Sequence, residues 1–172
     1  MVDSLLKRNP KTHPQLDFPD YKSSILRAPK NKKISFSSTT TEISGPIFNK
    51  NKIGKLDNDL TLNFSKNDIL PLGHKIIVYG TLSDQFSNPI DGALIEIWQA
   101  NSAGKYLHHN DKNIAPIDPN FAGCGRSITS SKGYYEFITI QPGPYPYPNR
   151  GIEWRPMHIH FSVFGKSFGQ RL

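Results

Sequence analysis

Two histidines separated by one residue raise the question of what chemistry this chain performs. His158 and His160 lie in the apolar run MHIHFSVF near the C-terminal end. Side chains alternate between the two faces of a β-strand, so both imidazoles are expected on one face. Such a pair can bind one metal ion, and the alternative is two polar residues on a solvated face. The pair by itself is weak evidence for a metal site.

A metal site would need further ligands, and this region offers few carboxylates or thiolates in suitable positions. Carboxylates usually accompany histidines at ferrous iron, and thiolates are typical of zinc sites. Asp111 and Asp118 lie in a long connection, and Glu153 precedes the histidine run. The single cysteine, Cys124, excludes an internal disulfide and a multi-cysteine zinc site.

Phenols are the remaining donors. A phenolate is a hard anionic ligand suited to Fe(III), but free phenol has a pKa of about 10, so the cation must stabilise the ionised form. Tyr134 and Tyr135 are adjacent inside a predicted strand, which favours structural roles. Tyr106 follows NSAGK, and Tyr145 lies in PGPYPYP, where prolines stiffen a loop. The residues alone leave the choice of tyrosines open.

Four β-branched or aromatic runs must position these side chains: HKIIVYGTL, GALIEIWQA, GYYEFITI and MHIHFSVF. They are bounded by turn residues, and no window holds a helical apolar pattern for several turns. The sequence therefore predicts an all-β fold, an antiparallel β-sandwich core over residues 71–172 with long functional loops. The connection 101–132 is rich in Gly, His, Asn, Asp and Pro, which is typical of a functional loop. Residues 1–70 are predicted to form an irregular basic arm that contacts a partner.

The charge is distributed unevenly along the chain. The net charge of +7 resides in the first 56 residues, which hold 11 Lys and Arg against 4 Asp and Glu. These lysines are scattered among Pro, Ser and Thr, so we expect a solvated or partner-wrapping arm and no nucleic-acid binding. No apolar stretch approaches the roughly 18 residues of a membrane helix. The N-terminus lacks an apolar signal-peptide region, so we expect a cytoplasmic protein.

Several segments, in order, resemble the intradiol ring-cleavage dioxygenases: LIEIWQANSAGKY, HHNDKNIAPIDPNFAGCGRSITS, GYYEFITIQPGPYPYPN and EWRPMHIHFSVFG. More narrowly, together with PDYKSSILRAPKN and GPIFNKNKIGKLDNDLTLNF, they are similar to the iron-binding β subunits that act on protocatechuate. The resemblance covers nearly the whole chain, and its several motifs make it far more specific than the histidine pair.

The resemblance implies one non-haem Fe(III) held by two tyrosines and two histidines. By motif, the tyrosine of GKY is Tyr106, that of GPYP is Tyr145, and the pair in HIH is His158 and His160. In the family pattern Tyr106 and His158 are equatorial ligands, whereas Tyr145 and His160 are axial.

The resemblance also implies residues that hold the substrate. Arg155, in WRPMH, matches an arginine beside the substrate that stabilises negative charge. Tyr21, in PDYKSS, matches a residue that helps to hold the aromatic acid. Tyr147 stands where the family usually has tryptophan, and Trp98, in IWQAN, is expected as a peripheral pocket or packing residue.

The implied reaction is cleavage of protocatechuate (3,4-dihydroxybenzoate) by O2 between its two hydroxyl-bearing carbons, giving 3-carboxy-cis,cis-muconate in aromatic catabolism through the β-ketoadipate pathway. Tyr145 is expected to leave the iron as the diol binds and to take up a proton. The family implies an α subunit as partner in a hetero-oligomer.

One departure from the family pattern concerns the C-terminal end. Family members continue for tens of residues beyond the segment that ends here at Leu172, so the resemblance implies a truncated sandwich. Two alternatives are a catechol or hydroxyquinol 1,2-dioxygenase and a non-catalytic β-sandwich module. The former group carries a helical N-terminal dimerisation region, which the basic arm does not resemble.

Overall fold

The computed structural model describes residues 18, 20, 28–31, 52–148 and 152–165, and within these residues it contains strands but no α-helix. The all-β prediction is confirmed, and the four predicted strand runs correspond to β1, β2, β4 and β7. The strands found in the described ranges are β1 (Lys75–Thr81), β2 (Leu94–Trp98), β3 (Cys124–Ile128), β4 (Tyr134–Ile140), β5 (Tyr145–Pro148), β6 (Ile152–Arg155) and β7 (His160–Phe164).

Antiparallel pairing organises the two larger sheets. β1 pairs with β4 in a register that runs from Lys75 opposite Ile140 to Thr81 opposite Tyr134. β2 is the central strand of the other sheet, with β3 on one side and β7 on the other. β5 and β6 form a separate two-stranded sheet.

The hydrophobic core joins residues of the two larger sheets. Ile95 and Ile97 project from the same face of β2, since they are two residues apart, and Phe137 of β4 belongs to the same cluster. All three are at most 1% exposed. Fully burying one such side chain contributes roughly 1.5–3 kcal/mol, so this cluster fixes the two sheets together. Its other buried members are Leu60, Phe121 and Ile140.

Three strands were missed in the sequence. β3 has the composition CGRSI, without the β-branched run that marks a strand, and it lies inside the connection predicted as one long loop. Its Gly125 is required by packing, because a Cβ there would lie 2.5 Å from a Leu60 methyl carbon. The loop predicted for PYPYP is corrected to β5, which among the described strands pairs with β6 alone. β6 was also missed, and proline is tolerated in strands at sheet edges.

The segment Asp57–Leu60 bridges the edges of the two larger sheets. The Asp57 carbonyl accepts the N–H of Arg126 on β3 at 2.8 Å. The N–H of Leu60 donates to the Ile138 carbonyl of β4 at 2.8 Å, and Leu60 is fully buried in the core. These residues lie within the predicted arm, yet they pack as part of the sheet assembly. The arm-and-core division at residue 70 stays a prediction.

The chain clusters into two compact units. One comprises Met1–Phe36 and Tyr147–Glu153, and the other comprises Ser37–Pro146 and Trp154–Leu172. The larger unit contains both large sheets and the core. A search of the described ranges for a helix long and apolar enough to cross a membrane found none.

We expect Leu60→Ala to lower the free energy of unfolding by about 2–5 kcal/mol, because it leaves a cavity where the bridging segment meets the core. Leu72→Ala is the matched control: Leu72 is 75% exposed, and its truncation should change stability by less than about 0.5 kcal/mol. Urea denaturation followed by tryptophan fluorescence measures both. Equal effects of the two variants would contradict the packing described for Leu60.

Candidate metal centre

The two histidines meet, but not as a single strand would place them. β7 begins at His160, so His158 lies just before the strand, whereas the sequence predicted both histidines within it. Their ring centroids are nevertheless 4.8 Å apart. The Nδ1 of His158 is 2.6 Å from the Pro156 carbonyl, which can only accept, so Nδ1 carries the proton. The Nε2 lone pair is therefore available to a ligand.

Tyr145 lies against this nitrogen. Its hydroxyl is 3.3 Å from the Nε2 of His158, and the two ring centroids are 5.4 Å apart. The ring of Tyr106 stands edge-on to that of Tyr145, with centroids 5.4 Å apart. Two phenols and two imidazoles thus form a continuous group, Tyr106–Tyr145–His158–His160, within the larger unit.

The phenol of Tyr106 provides a test of metal fit. Its oxygen is buried and makes no hydrogen bond of normal geometry within the described residues. Burial and then the neighbouring Tyr145 raise the pKa of Tyr106 well above its ordinary value, an effect that the Arg155 charge opposes and the Asp111 charge reinforces. A buried polar atom without a partner is uncommon in native structures. A cation beside this oxygen would satisfy it and stabilise its ionised form.

His160 is held by a cross-strand neighbour. It lies directly opposite Trp98 in the β2–β7 register, and the two rings stack at 4.8 Å with an interplanar angle of 3°. Burial lowers the pKa of His160, and the nearby His158 and Arg155 lower it further. The neutral imidazole, which is the form that binds metals, is therefore favoured. Trp98 stacks on His160 and therefore lies beside the candidate centre.

The structure describes two of the other three predicted site residues, Arg155 and Tyr147. Arg155 ends β6, is half-buried, and is close enough to affect the pKa values of Tyr106 and His160. Tyr147 is half-buried on β5 and belongs to the smaller unit. Tyr21 lies outside the described residues. The roles predicted for all three stay predictions.

Asn101 organises the segment that carries Tyr106. Its side-chain oxygen accepts the N–H groups of Ala103 and Lys105 at 3.0 and 2.9 Å, and its Nδ2 donates to the Pro116 carbonyl at 3.0 Å. Its own N–H donates to the Lys105 carbonyl at 2.9 Å. Asparagine suits this position because its short amide can bond to the backbone two residues ahead.

Close backbone contact joins the two segments that carry the tyrosines. The N–H of Gly143 donates to the Asn101 carbonyl at 2.9 Å. Gly104 has a φ of +77°, and a Cβ there would lie 2.1 Å from the Pro144 carbonyl oxygen. Only glycine accommodates both the left-handed conformation and this approach.

Gln99 adds a buried link between the same two parts of the chain. Its Nε2 donates to the Ile140 carbonyl at 2.6 Å, and its Oε1 accepts the Thr139 hydroxyl at 2.9 Å. Both side chains are at most 2% exposed, so these bonds lie in a low-dielectric interior where losing a partner is costly. The end of β2 is thereby tied to the end of β4.

The donor chemistry of the site fits a ferric ion. Among the described residues, no group of three or more His, Cys, Asp and Glu side chains could hold a metal. The group found here combines two neutral nitrogen donors with two phenols, and phenolates are the hard anionic oxygens that a highly charged cation favours.

Comparison with known protein families decides the assignment. The family model described as "Dioxygenase" matches residues 43–172, which is most of the chain. A second, described as "Protocatechuate 3,4-dioxygenase beta subunit N terminal", matches residues 6–39. The chain belongs to the intradiol ring-cleavage dioxygenases. The resemblance seen in its motifs is thus confirmed.

This intradiol dioxygenase covers a different share of each relative's length. It is 45% identical to the protocatechuate 3,4-dioxygenase beta chain of Burkholderia cepacia, over 98% of its own length and 71% of that chain. It is 34% identical to a catechol 1,2-dioxygenase of Candida albicans, over 55% of its length and 33% of the relative. The solved 3-chlorocatechol 1,2-dioxygenase of Rhodococcus opacus matches with a TM-score of 0.52 and 26% identity, over 74% of this chain and 53% of that one.

Sequence reasoning missed the residues that position the tyrosines in this intradiol dioxygenase. The sequence interpretation assigned no role to Gln99, Asn101 or Gly104. The run QANSAG does contain turn-forming Asn, Ser and Gly, which signal a tight turn before Tyr106. Gln99 bonds to Ile140 and Gly104 approaches Pro144, both distant in sequence, so no local pattern indicates the second segment that these two residues contact.

We expect Gly104→Ala to destabilise the fold and to separate the two phenols. Backbone strain at a positive φ costs about 1–3 kcal/mol, and the clash with Pro144 adds to it. Gly54→Ala is the control, since Gly54 has no positive φ and the nearest atom to its new Cβ is a carboxylate oxygen of Asp57 at 3.0 Å. Unfolding free energy and iron stoichiometry are measured for both. Normal iron binding by Gly104→Ala would show that this approach does not set the site.

Proposed function

We propose that this chain is the iron-binding β chain of a protocatechuate 3,4-dioxygenase, which opens the aromatic ring between its two hydroxyl-bearing carbons. The observation that carries the proposal is the succession of ring contacts that joins Tyr106, Tyr145, His158 and His160, with the Tyr106 oxygen buried at one end of it. The identity of 45% to the Burkholderia cepacia beta chain supports the choice of substrate.

Tyr106, Tyr145, His158 and His160 would hold a non-haem ferric ion. When bound, this ion supplies Lewis acidity toward the two hydroxyls of the diol and the electron withdrawal that opens the ring to attack by O2. The chain contributes anionic phenolates that favour the ferric state, and imidazoles fixed by Trp98 and the Pro156 carbonyl. A hydrogen bond to the second ring nitrogen, or a side chain stacked on the ring face, keeps the imidazole of a ligand histidine in one orientation.

Tyr145 is the proposed base for a substrate proton. Its oxygen lies within 3.3 Å of the His158 Nε2, so it is held at the centre of the group. An ionised phenol that receives a proton from a diol hydroxyl becomes neutral. Its O–H group can then donate a hydrogen bond, which the phenolate could not do. The proton then resides on the Tyr145 oxygen while the ring is cleaved.

Arg155 is proposed to stabilise negative charge that develops on the substrate. Its guanidinium is permanently charged, and its field already reaches Tyr106 and His160. A fixed cation in a partly buried site stabilises a developing anion more strongly than water does. Tyr21, Tyr147 and Trp98 are proposed as substrate-binding residues because they match the family motifs.

The substrate and partner follow from the same proposal. A ring carboxylate distinguishes protocatechuate from catechol, and its cleavage gives 3-carboxy-cis,cis-muconate. An α chain would complete the enzyme. A cytoplasmic location without membrane or nucleic-acid partners is proposed from the sequence. The similarity to catechol 1,2-dioxygenases makes catechol the second candidate substrate.

Iron loading tests the proposal directly. We expect about one iron per chain and a red-brown colour from tyrosinate-to-Fe(III) charge transfer, which changes when protocatechuate is added under anaerobic conditions. Turnover of protocatechuate and catechol with O2, with and without an α chain, separates the two substrates. A chain that stays colourless and inactive with iron would contradict the proposal and favour a non-catalytic module.

We expect Tyr145→Phe to lower the turnover rate by about 10²–10⁴-fold, the usual contribution of a positioned base, while His158 and His160 still bind iron. Tyr134→Phe is the control, because Tyr134 is 40% exposed on β4 and bonds to Glu136 rather than to the site. Steady-state oxygen uptake and iron analysis provide the measurement. Unchanged turnover in Tyr145→Phe would contradict the role assigned to this phenol.

A further inference from the structure

The loop after Tyr106 closes on a carboxylate that bonds to the backbone of the tyrosine itself. Asp111 Oδ2 accepts the N–H of Tyr106 at 2.8 Å, and its Oδ1 accepts the N–H of Asn113 at 2.7 Å. One side chain thus ties the start of the loop to its end. These are charge-assisted hydrogen bonds, which are shorter and stronger than neutral ones.

A lysine completes this closure from the other side. The Nζ of Lys105 donates to the carbonyls of Asp111 and Asn113 at 3.0 and 2.5 Å and lies 3.6 Å from Asp111 Oδ1. The two charged side chains are only 10% and 15% exposed, so solvent screens them weakly. The Asn113 Nδ2 also donates to the Gly104 carbonyl at 2.9 Å. The loop is therefore fastened to the turn that precedes Tyr106.

These hydrogen bonds act on the backbone of Tyr106 and of its neighbour Gly104, whereas the phenol ring of Tyr106 contacts the ring of Tyr145. The phenol oxygen stands at the far end of a rigid side chain, so a small rotation of the backbone displaces it by a larger distance. Fixing the Tyr106 nitrogen is thus an efficient way to fix the oxygen.

We propose that Asp111 is a positioning residue for Tyr106: by holding the tyrosine N–H, its carboxylate sets where the phenol oxygen meets the metal. The part of this inference that concerns iron rests on the proposed function. The part that concerns the backbone of Tyr106 stands on the geometry of the loop alone.

The chain contains a matched control for this carboxylate. Asp84, in the connection between β1 and β2, accepts the N–H groups of Phe86 and Asn88 at 2.8 and 2.9 Å through its Oδ1. It therefore caps a loop through two backbone bonds, as Asp111 does. Its loop carries none of the four ring residues, so any effect of Asp84→Ala reports loop stability alone.

The experiment compares the full chain with Asp111→Ala, Asp111→Asn and Asp84→Ala. In metal-free protein, Asp111→Ala should speed hydrogen exchange of the Tyr106 amide by about tenfold or more, because a charge-assisted bond is lost. In iron-loaded protein it should weaken iron binding by about 10–100-fold and shift the visible charge-transfer band. Asp111→Asn keeps one acceptor oxygen and should fall between wild type and Asp111→Ala. Asp84→Ala should leave all three readouts unchanged.

Two results would overturn the inference. One is a Tyr106 amide exchange rate and an absorption band in Asp111→Ala that equal those of the wild type. The other is an equal change of these readouts in Asp84→Ala, which would reduce the effect to general stability. If Asp111→Ala does not fold, the same comparison is made with Asp111→Asn. A wild-type chain that binds no iron would contradict the proposed function, whereas the exchange comparison would still decide the role of Asp111.

Discussion

The close backbone approach of Gly104 to Pro144 is the constraint on which the candidate centre depends. Tyr106 comes after β2 and Tyr145 comes after β4. Their phenol rings can approach each other only if the segments that follow these two strands are in contact. A side chain at Gly104 would fill the space that the Pro144 carbonyl occupies. The hydrogen bond from Gly143 to the Asn101 carbonyl then holds the contact closed. The approach of the two tyrosine rings is thus determined by contacts between backbone atoms, which take no part in the chemistry themselves.

The same strands support the core on one face and the centre on the other. Ile95 and Ile97 point into the core, so Trp98 points to the opposite face of β2, directly across from His160 on β7. Packing of the core fixes the sheet, and the sheet fixes the stacked Trp98–His160 pair. This arrangement lets the polar, ring-lined centre form without placing ionisable groups among the buried aliphatic residues.

The sequence predicted those features that depend on local pattern. Alternating apolar runs identified β1, β2, β4 and β7, and a specific set of motifs indicated the family. β3 was missed because its sequence, CGRSI, lacks the β-branched run that marks a strand, and its Gly125 is required by contact with Leu60, which is distant in sequence. Residue spacing alone did not select Tyr106 and Tyr145; the family motifs did. The approach of Gly104 to Pro144 and the bond between Gln99 and Ile140 join residues that are distant in sequence, so no local pattern encodes them. The bond from the Tyr106 N–H to Asp111 and the contact of His158 with the Pro156 carbonyl are local, but no motif used in the sequence interpretation signals them.

Resonance Raman spectroscopy of the iron-loaded chain, excited within its visible band, tests the central claim most directly. The account predicts enhanced phenolate ring vibrations from two distinct tyrosinates, one set lost in Tyr106→Phe and the other in Tyr145→Phe. Enhancement that is absent from the wild type, or that survives both substitutions unchanged, would contradict the convergence of these two phenols on one ferric ion.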